Sequence, residues 1–228
     1  MNTAYHPDFG VKVAYQFDRM PDDPDAQVRQ SIAKAVGFIR QDAQSIPIQQ
    51  DAARAAQSGD PIGGVWKLIK PSIKFKQDTD TAKDLDLSAA EKKKWPAEDL
   101  VEVFIRPVDQ SMLIGLRGVG VEDCDGFTMY GACLLTALGI PCALVTVAAD
   151  SERPREFSHI YVAAYWNGMR IPLDFSHGEY PGWECPSTRK REWPVWETTV
   201  EKATLALTPI AIAGALYFGL RWLNRRAS

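Results

Sequence analysis

Residues 121–141, VEDCDGFTMYGACLLTALGIP, decide how this chain folds. Phe127, Tyr130, Leu134, Leu135 and Leu138 recur at helical spacing. Asp123 is a natural N-cap, and Gly139 with Pro141 ends the run, so the stretch predicts an amphipathic helix with Cys124 in its first turn. A thiol there sits under unpaired backbone N–H groups and the positive end of the helix dipole, both of which favour thiolate. Glu122, Asp123 and Asp125 flank it and oppose a second negative charge, so activation requires a neighbouring base.

A base and its partner follow from register. Residues 157–166, FSHIYVAAYW, alternate as a strand; Asn167-Gly168 is a strong two-residue hairpin signal, and residues 169–174, MRIPLD, run back. Pairing Trp166 with Met169 places Asp174 opposite Tyr161. His159 shares the face of Tyr161 because side chains alternate, so His159 is the diagonal neighbour of Asp174, about 7 Å away between backbones. A slip of one residue would separate them onto opposite faces. His177, three residues beyond Asp174, is the alternative base.

Cys, then His, then Asp on adjoining strands is the order found in transglutaminase-like cysteine enzymes, and the chain resembles that superfamily. The stretches that carry the likeness are EDCDGFTMYGACLLTALGIPCALVTV, FSHIYVAAYWNGMRIPLD and, more loosely, VWKLIKPSIKFKQD. They cover roughly residues 62–174. The resemblance implies Cys124 as nucleophile, His159 as general base and acid, and Asp174 as the group that orients the imidazole, a Cys-His-Asp catalytic triad. Many relatives carry a second acid where this chain has Gly126, and the aspartate is commonly followed by proline or threonine where Phe175, Ser176 and His177 stand here. The spelling of the Cys helix also resembles bacteriophage and prophage members. The activity implied is that of a cysteine protease or amidase, with hydrolase chemistry favoured over cross-linking acyl transfer, on a protein or peptide substrate.

No cofactor is expected, since nothing resembles a calcium loop, a P-loop or a dinucleotide fingerprint. No metal site is expected either: Cys124, Cys133 and Cys142 are nine residues apart each time, Cys185 is remote, and no C-x-x-C or H-x-x-x-H pair occurs. Cys133 and Cys142 read as small buried residues. MNTAYHPDFGVKV is neither basic nor apolar enough for a secretory signal, which points to reduced thiols in the cytoplasm or in a phage virion assembled there. At 228 residues, 46% hydrophobic and 24% charged, the chain can bury a full core; its net charge of −3 gives no reason to bind nucleic acid.

Elsewhere the pattern predicts a strand over residues 11–17, a turn over 20–25 that caps a helix over 26–44, and a second helix over 48–57. Residues 70–94 are polar and lysine-rich, a solvent-exposed excursion without aromatic interleaving. Residues 98–106 read as a short helix or strand. Gly115, Gly118 and Gly120 suit either a flexible wall of the cleft or an ordinary loop. Residues 177–196, rich in Trp and Pro, read as irregular, with Trp183 or Trp193 filling the core or lining a groove. Residues 203–220, ATLALTPIAIAGALYFGL, carry no charge and precede Arg221, Trp222, Arg225 and Arg226. That is about 27 Å of helix, either a transmembrane helix or a docking element against the protein or a neighbouring virion subunit. The expectation is an α+β, papain-like transglutaminase core over residues 61–196. An N-terminal strand and helical region over 1–60 precedes it, and an apolar C-terminal helix over 197–228 follows. A structural or assembly protein of a phage particle on the same fold, or a membrane-anchored binding module without catalysis, are the readings from other classes.

Overall fold

The computed structural model describes residues 2–6, 11–19, 23–78, 80 and 101–196, of which 2–6, 11–19 and 101–103 are described by backbone alone. The chain divides into two units after Val195, and every described strand and helix lies in the first. The excursion expected over residues 70–94 lies largely outside the described residues, and the apolar run 203–220 lies wholly outside them. No helix among the described residues is long and apolar enough to cross a membrane.

The class is α+β. Among the described residues three sheets form: β1 (Asn2–His6), β2 (Val11–Arg19) and β4 (Val101–Ile105) pair antiparallel; β3 (Ile73–Phe75) and β5 (Gly120–Glu122) pair parallel; and β8 (Met169–Leu173), β7 (His159–Trp166), β6 (Cys142–Val147) and β9 (Lys190–Pro194) form a four-stranded antiparallel sheet in that order. Around them lie α1 (Pro24–Asp42), α2 (Ile46–Ala56), α3 (Pro61–Ile69), α4 (Pro107–Arg117) and α5 (Cys124–Ala137). Helices α1 to α3 each start with proline in the first turn, which fixes φ where no N–H partner is needed. For that reason α1 and α2 begin two residues before the apolar periodicity does.

Helix α5 is the centre. It packs on the four other described helices and on β6 and β7, and every residue from Asp125 to Leu135 is buried. The expected amphipathic character is thus corrected: the helix has no solvent face, because Gly126, Thr128, Gly131 and Ala132 fill the arc between the large side chains and admit neighbours closely. At Gly131 an added Cβ would overlap the ring of Phe175. Phe175 in turn packs on Trp66, with ring centroids 5.5 Å apart.

Two buried carboxylates tie the helices together. Asp42, at the end of α1, pairs with Arg106 and accepts the N–H of Val108 at 3.2 Å, capping α4 from a distance. Asp51 on α2 accepts the hydroxyl of Ser111 on α4 and that of Tyr130 on α5 at 2.6 Å, and pairs with Arg54. Burial, with the Asp51 carboxylate alongside, holds the Tyr130 hydroxyl above its ordinary value and so protonated.

Two loop expectations are corrected. Residues 107–117 form α4, so Gly115 lies in a helix, Gly118 is its left-handed cap with φ 78°, and Gly120 opens β5. The signals were present: Pro107 at the start, Asp109 in the first turn and Arg117 in the last. Residues 177–196 are not wholly irregular, since Lys190–Pro194 pairs with β6 at the sheet edge, where Pro194 withholds no needed donor. Trp193 lies on this strand, packed against the core.

Replacing Asp51 with Ala strands the hydroxyls of Tyr130 and Ser111 in the interior. Urea unfolding is expected to show a loss of about 3 kcal/mol, with Tyr130→Phe losing about half as much because Ser111 and Arg54 still satisfy the carboxylate.

Candidate active site

The turn before Cys124 is held from both sides. β5 pairs with β3, and Asp123 caps α5 with its carboxylate accepting the N–H of Asp125 at 2.9 Å. The Glu122 side chain is fully buried; its carboxylate accepts the N–H of Ile105 at 3.0 Å and that of Asp123 at 3.3 Å. This acid is therefore part of the frame around the turn. Cys124 is half-buried, whereas Cys133 and Cys142 are buried; no disulfide joins the four cysteines. Burial pushes the Cys142 thiol up to about 12, and that of Cys133 well above its ordinary value.

The direction of α5 brings its first turn to the right end of the sheet. Thr128 donates to the carbonyl of Ile160 at 3.1 Å, and Cys142 donates to the carbonyl of Ala132 at 3.7 Å. Cys142 pairs with Ala164, so α5 and β7 run the same way. Cys124 lies one turn before Thr128 on the same helix face, towards the end of β7 where His159 stands.

The hairpin has the expected register: Trp166 pairs with Met169 and Val162 with Leu173, around Asn167 and Gly168 at φ 51° and 76°. His159 Nε2 and Asp174 Oδ2 are 2.7 Å apart, in a site where His159 is 8% exposed and Asp174 fully buried. Asp174 Oδ1 accepts the hydroxyl of Ser176 at 3.0 Å and the N–H of His177 at 2.9 Å. Burial alone would raise the Asp174 carboxyl, but the hydrogen bond and charge of His159, with the donors from His177 and Ser176, outweigh it and hold the group below its ordinary value. An ionised carboxylate only accepts, so His159 Nε2 is the donor of this bond; in the neutral ring the lone pair then falls on Nδ1.

His177 is placed differently from a base. The residue is exposed, and the hydrogen bond it gives the carboxylate comes from its backbone N–H. Burial and the charge of His159 lower its pKa from the usual value.

Sequence reasoning missed three supports. Ser176 and His177 satisfy Asp174 through a tight turn closed by the N–H of Gly178 to the Asp174 carbonyl at 2.8 Å; the Asp-x-Ser spelling was the available signal. Glu122 is fixed by a strand distant in sequence, which no local pattern reports. Beside His159, the Tyr161 ring stands 6.2 Å away, its hydroxyl donating to Glu184, which also binds Arg170 at 2.7 Å and Lys190 at 2.9 Å. Compared with protein families, curated proteins and solved structures, the chain matches none.

At Gly126 an added Cβ would overlap Glu122, which explains why this position lacks a side chain. Gly126→Ala is expected to cost about 2 kcal/mol by chemical denaturation. Combined with Glu122→Ala it should cost less than the two singles together, since the clash is then gone. The Glu184 carboxyl is a second lever: although burial opposes it, hydrogen bonds from Tyr161, Lys190 and Arg170 hold it at about 2, against an ordinary 4.5. With the folded value depressed, its stabilisation is complete above 4.5 and lost as pH falls towards 2. Thermal melting across that range should show Glu184→Gln less stable than the parent at the upper end, with the gap closing as the solution is acidified.

Proposed function

We propose that this protein is a cysteine hydrolase or acyltransferase with a papain-like, transglutaminase-type core, acting on a peptide or amide bond through Cys124, His159 and Asp174. The observation that carries the reading is the buried 2.7 Å hydrogen bond between His159 and Asp174, beside the end of a helix that begins with a half-buried thiol. His159 Nδ1 takes the thiol proton, and Cys124 Sγ attacks the carbonyl carbon. The N–H at the start of α5 stabilises the oxyanion. On collapse of the tetrahedral adduct, the imidazolium gives the proton to the leaving amine, and Cys124 carries the acyl group. Water then resolves the thioester with His159 as base, or an amine does so in the cross-linking variant. Asp174 keeps the proton on Nε2 and offsets the imidazolium charge, so the ring is oriented before substrate arrives.

The spelling of the Cys helix supports a phage or prophage origin, and a protein or peptide as partner.

Iodoacetamide labelling read by mass spectrometry tests the reading without a known substrate. Cys124 is expected to label at neutral pH at least tenfold faster than Cys185, a half-buried thiol whose pKa burial raises. His159→Ala should remove that advantage, and Asp174→Asn should remove less of it. Labelling of Cys124 no faster than Cys185, or insensitive to His159, would sink the triad.

A further inference from the structure

His177 takes no part in the chemistry above, yet its ring is held in place. It packs edge-on to His159, with centroids 4.7 Å apart, and to Phe75 at 5.3 Å. Ser176 sets its tautomer. The Ser176 hydroxyl has one hydrogen, and it goes to Asp174 Oδ1, an acceptor only. Towards His177 Nδ1, 2.9 Å away, the hydroxyl is then the acceptor, so Nδ1 carries the ring proton and Nε2 keeps a lone pair. Metal-binding imidazoles are oriented in this way, by donating the far N–H to a fixed oxygen.

A nitrogen of each imidazole and an oxygen of Asp174 lie within 4.8 Å of one another. Two neutral imidazoles and a carboxylate suit zinc and its neighbours in the first transition row, whereas calcium and magnesium take oxygen donors. Donors around tetrahedral zinc stand about 3.3 Å apart for bonds of about 2.0 Å. Binding opens the His159–Asp174 pair from 2.7 Å to about that separation and draws in the exposed ring of His177; the His159 ring changes tautomer as it does so, its Nε2 proton passing to Nδ1 through solvent, so that Nε2 turns a lone pair to the ion. The expectation from spacing alone, that the chain has no metal site, considered only ligands close in sequence; His159 and His177 meet through the β7–β8 hairpin and the turn after it.

We propose that His159, Asp174 and His177 form a binding site for a divalent transition-metal ion of the zinc class, with His177 as the ligand that serves the metal alone. An ion held there engages the imidazole that acyl transfer needs, so metal binding and catalysis exclude each other. The site itself does not depend on the catalytic reading.

Zinc chloride titrated into the full chain against a chromophoric chelator tests it, with cobalt(II) absorption as a second readout. The wild type is expected to bind one equivalent. His177→Ala and His177→Gln, at an exposed position that leaves the core untouched, should each weaken binding by about tenfold or more. Cys124→Ser should leave it within about twofold. Zinc on the acidic trio Asp78, Glu122 and Asp123 would ignore His177, so unchanged affinity in both His177 variants overturns the site. So does no binding at millimolar zinc, or a cobalt–thiolate band that disappears in Cys124→Ser. None of these readouts requires activity, so failure of the metal site and failure of the triad are told apart.

Discussion

The described helices and the four-stranded sheet are arranged around a helix that has no solvent face. Once α5 is surrounded, its first residue can be exposed only where the surrounding layers end, and that is where Cys124 lies, half-buried beside the start of β7. Position along a buried helix thus does what a loop does in many sites: it presents a side chain at a fixed point while the backbone behind it cannot move. Small residues on the helix are the condition for this. Gly131 admits Phe175, and Phe175, the residue next to Asp174, thereby packs against the helix that bears the thiol.

Closing such a core leaves buried polar groups to be satisfied, and this chain uses carboxylates for that purpose. Asp42, Asp51, Glu122 and Asp174 each accept from at least two donors, drawn from backbone N–H groups, hydroxyls, Arg106 or His159. A buried charge with good hydrogen bonds is tolerated, and a stripped one is costly, so these four act as locks between segments far apart in sequence. Three of them hold elements in place. Asp174 differs in having an imidazole as partner, and that single difference is what turns a structural device into a candidate for proton transfer.

Much of this was legible in the chain. Asn167-Gly168 sets a two-residue turn, the turn sets the register, and the register puts His159 and Asp174 on one face, because side chains alternate and a one-residue slip would bury the wrong set. The Cys124 helix and its Asp123 cap were equally local. Proline and glycine also marked α4, but three glycines read together as a loop concealed a helix whose capping carboxylate, Asp42, lies on α1.

The sequence by itself determined what depends on neighbours along the chain: the helix that starts at Cys124, the hairpin, and the pairing of a histidine with an acid. Tertiary structure alone decided that α5 is buried on every side, that Glu122 turns inward to hold the N–H of Ile105, and that His177 rests against His159. The physical reason is the range of the forces involved. Turn geometry and strand alternation act over a few residues and leave a readable period, whereas the fate of a carboxylate or an imidazole depends on which distant donors the closed core brings within about 3 Å of it.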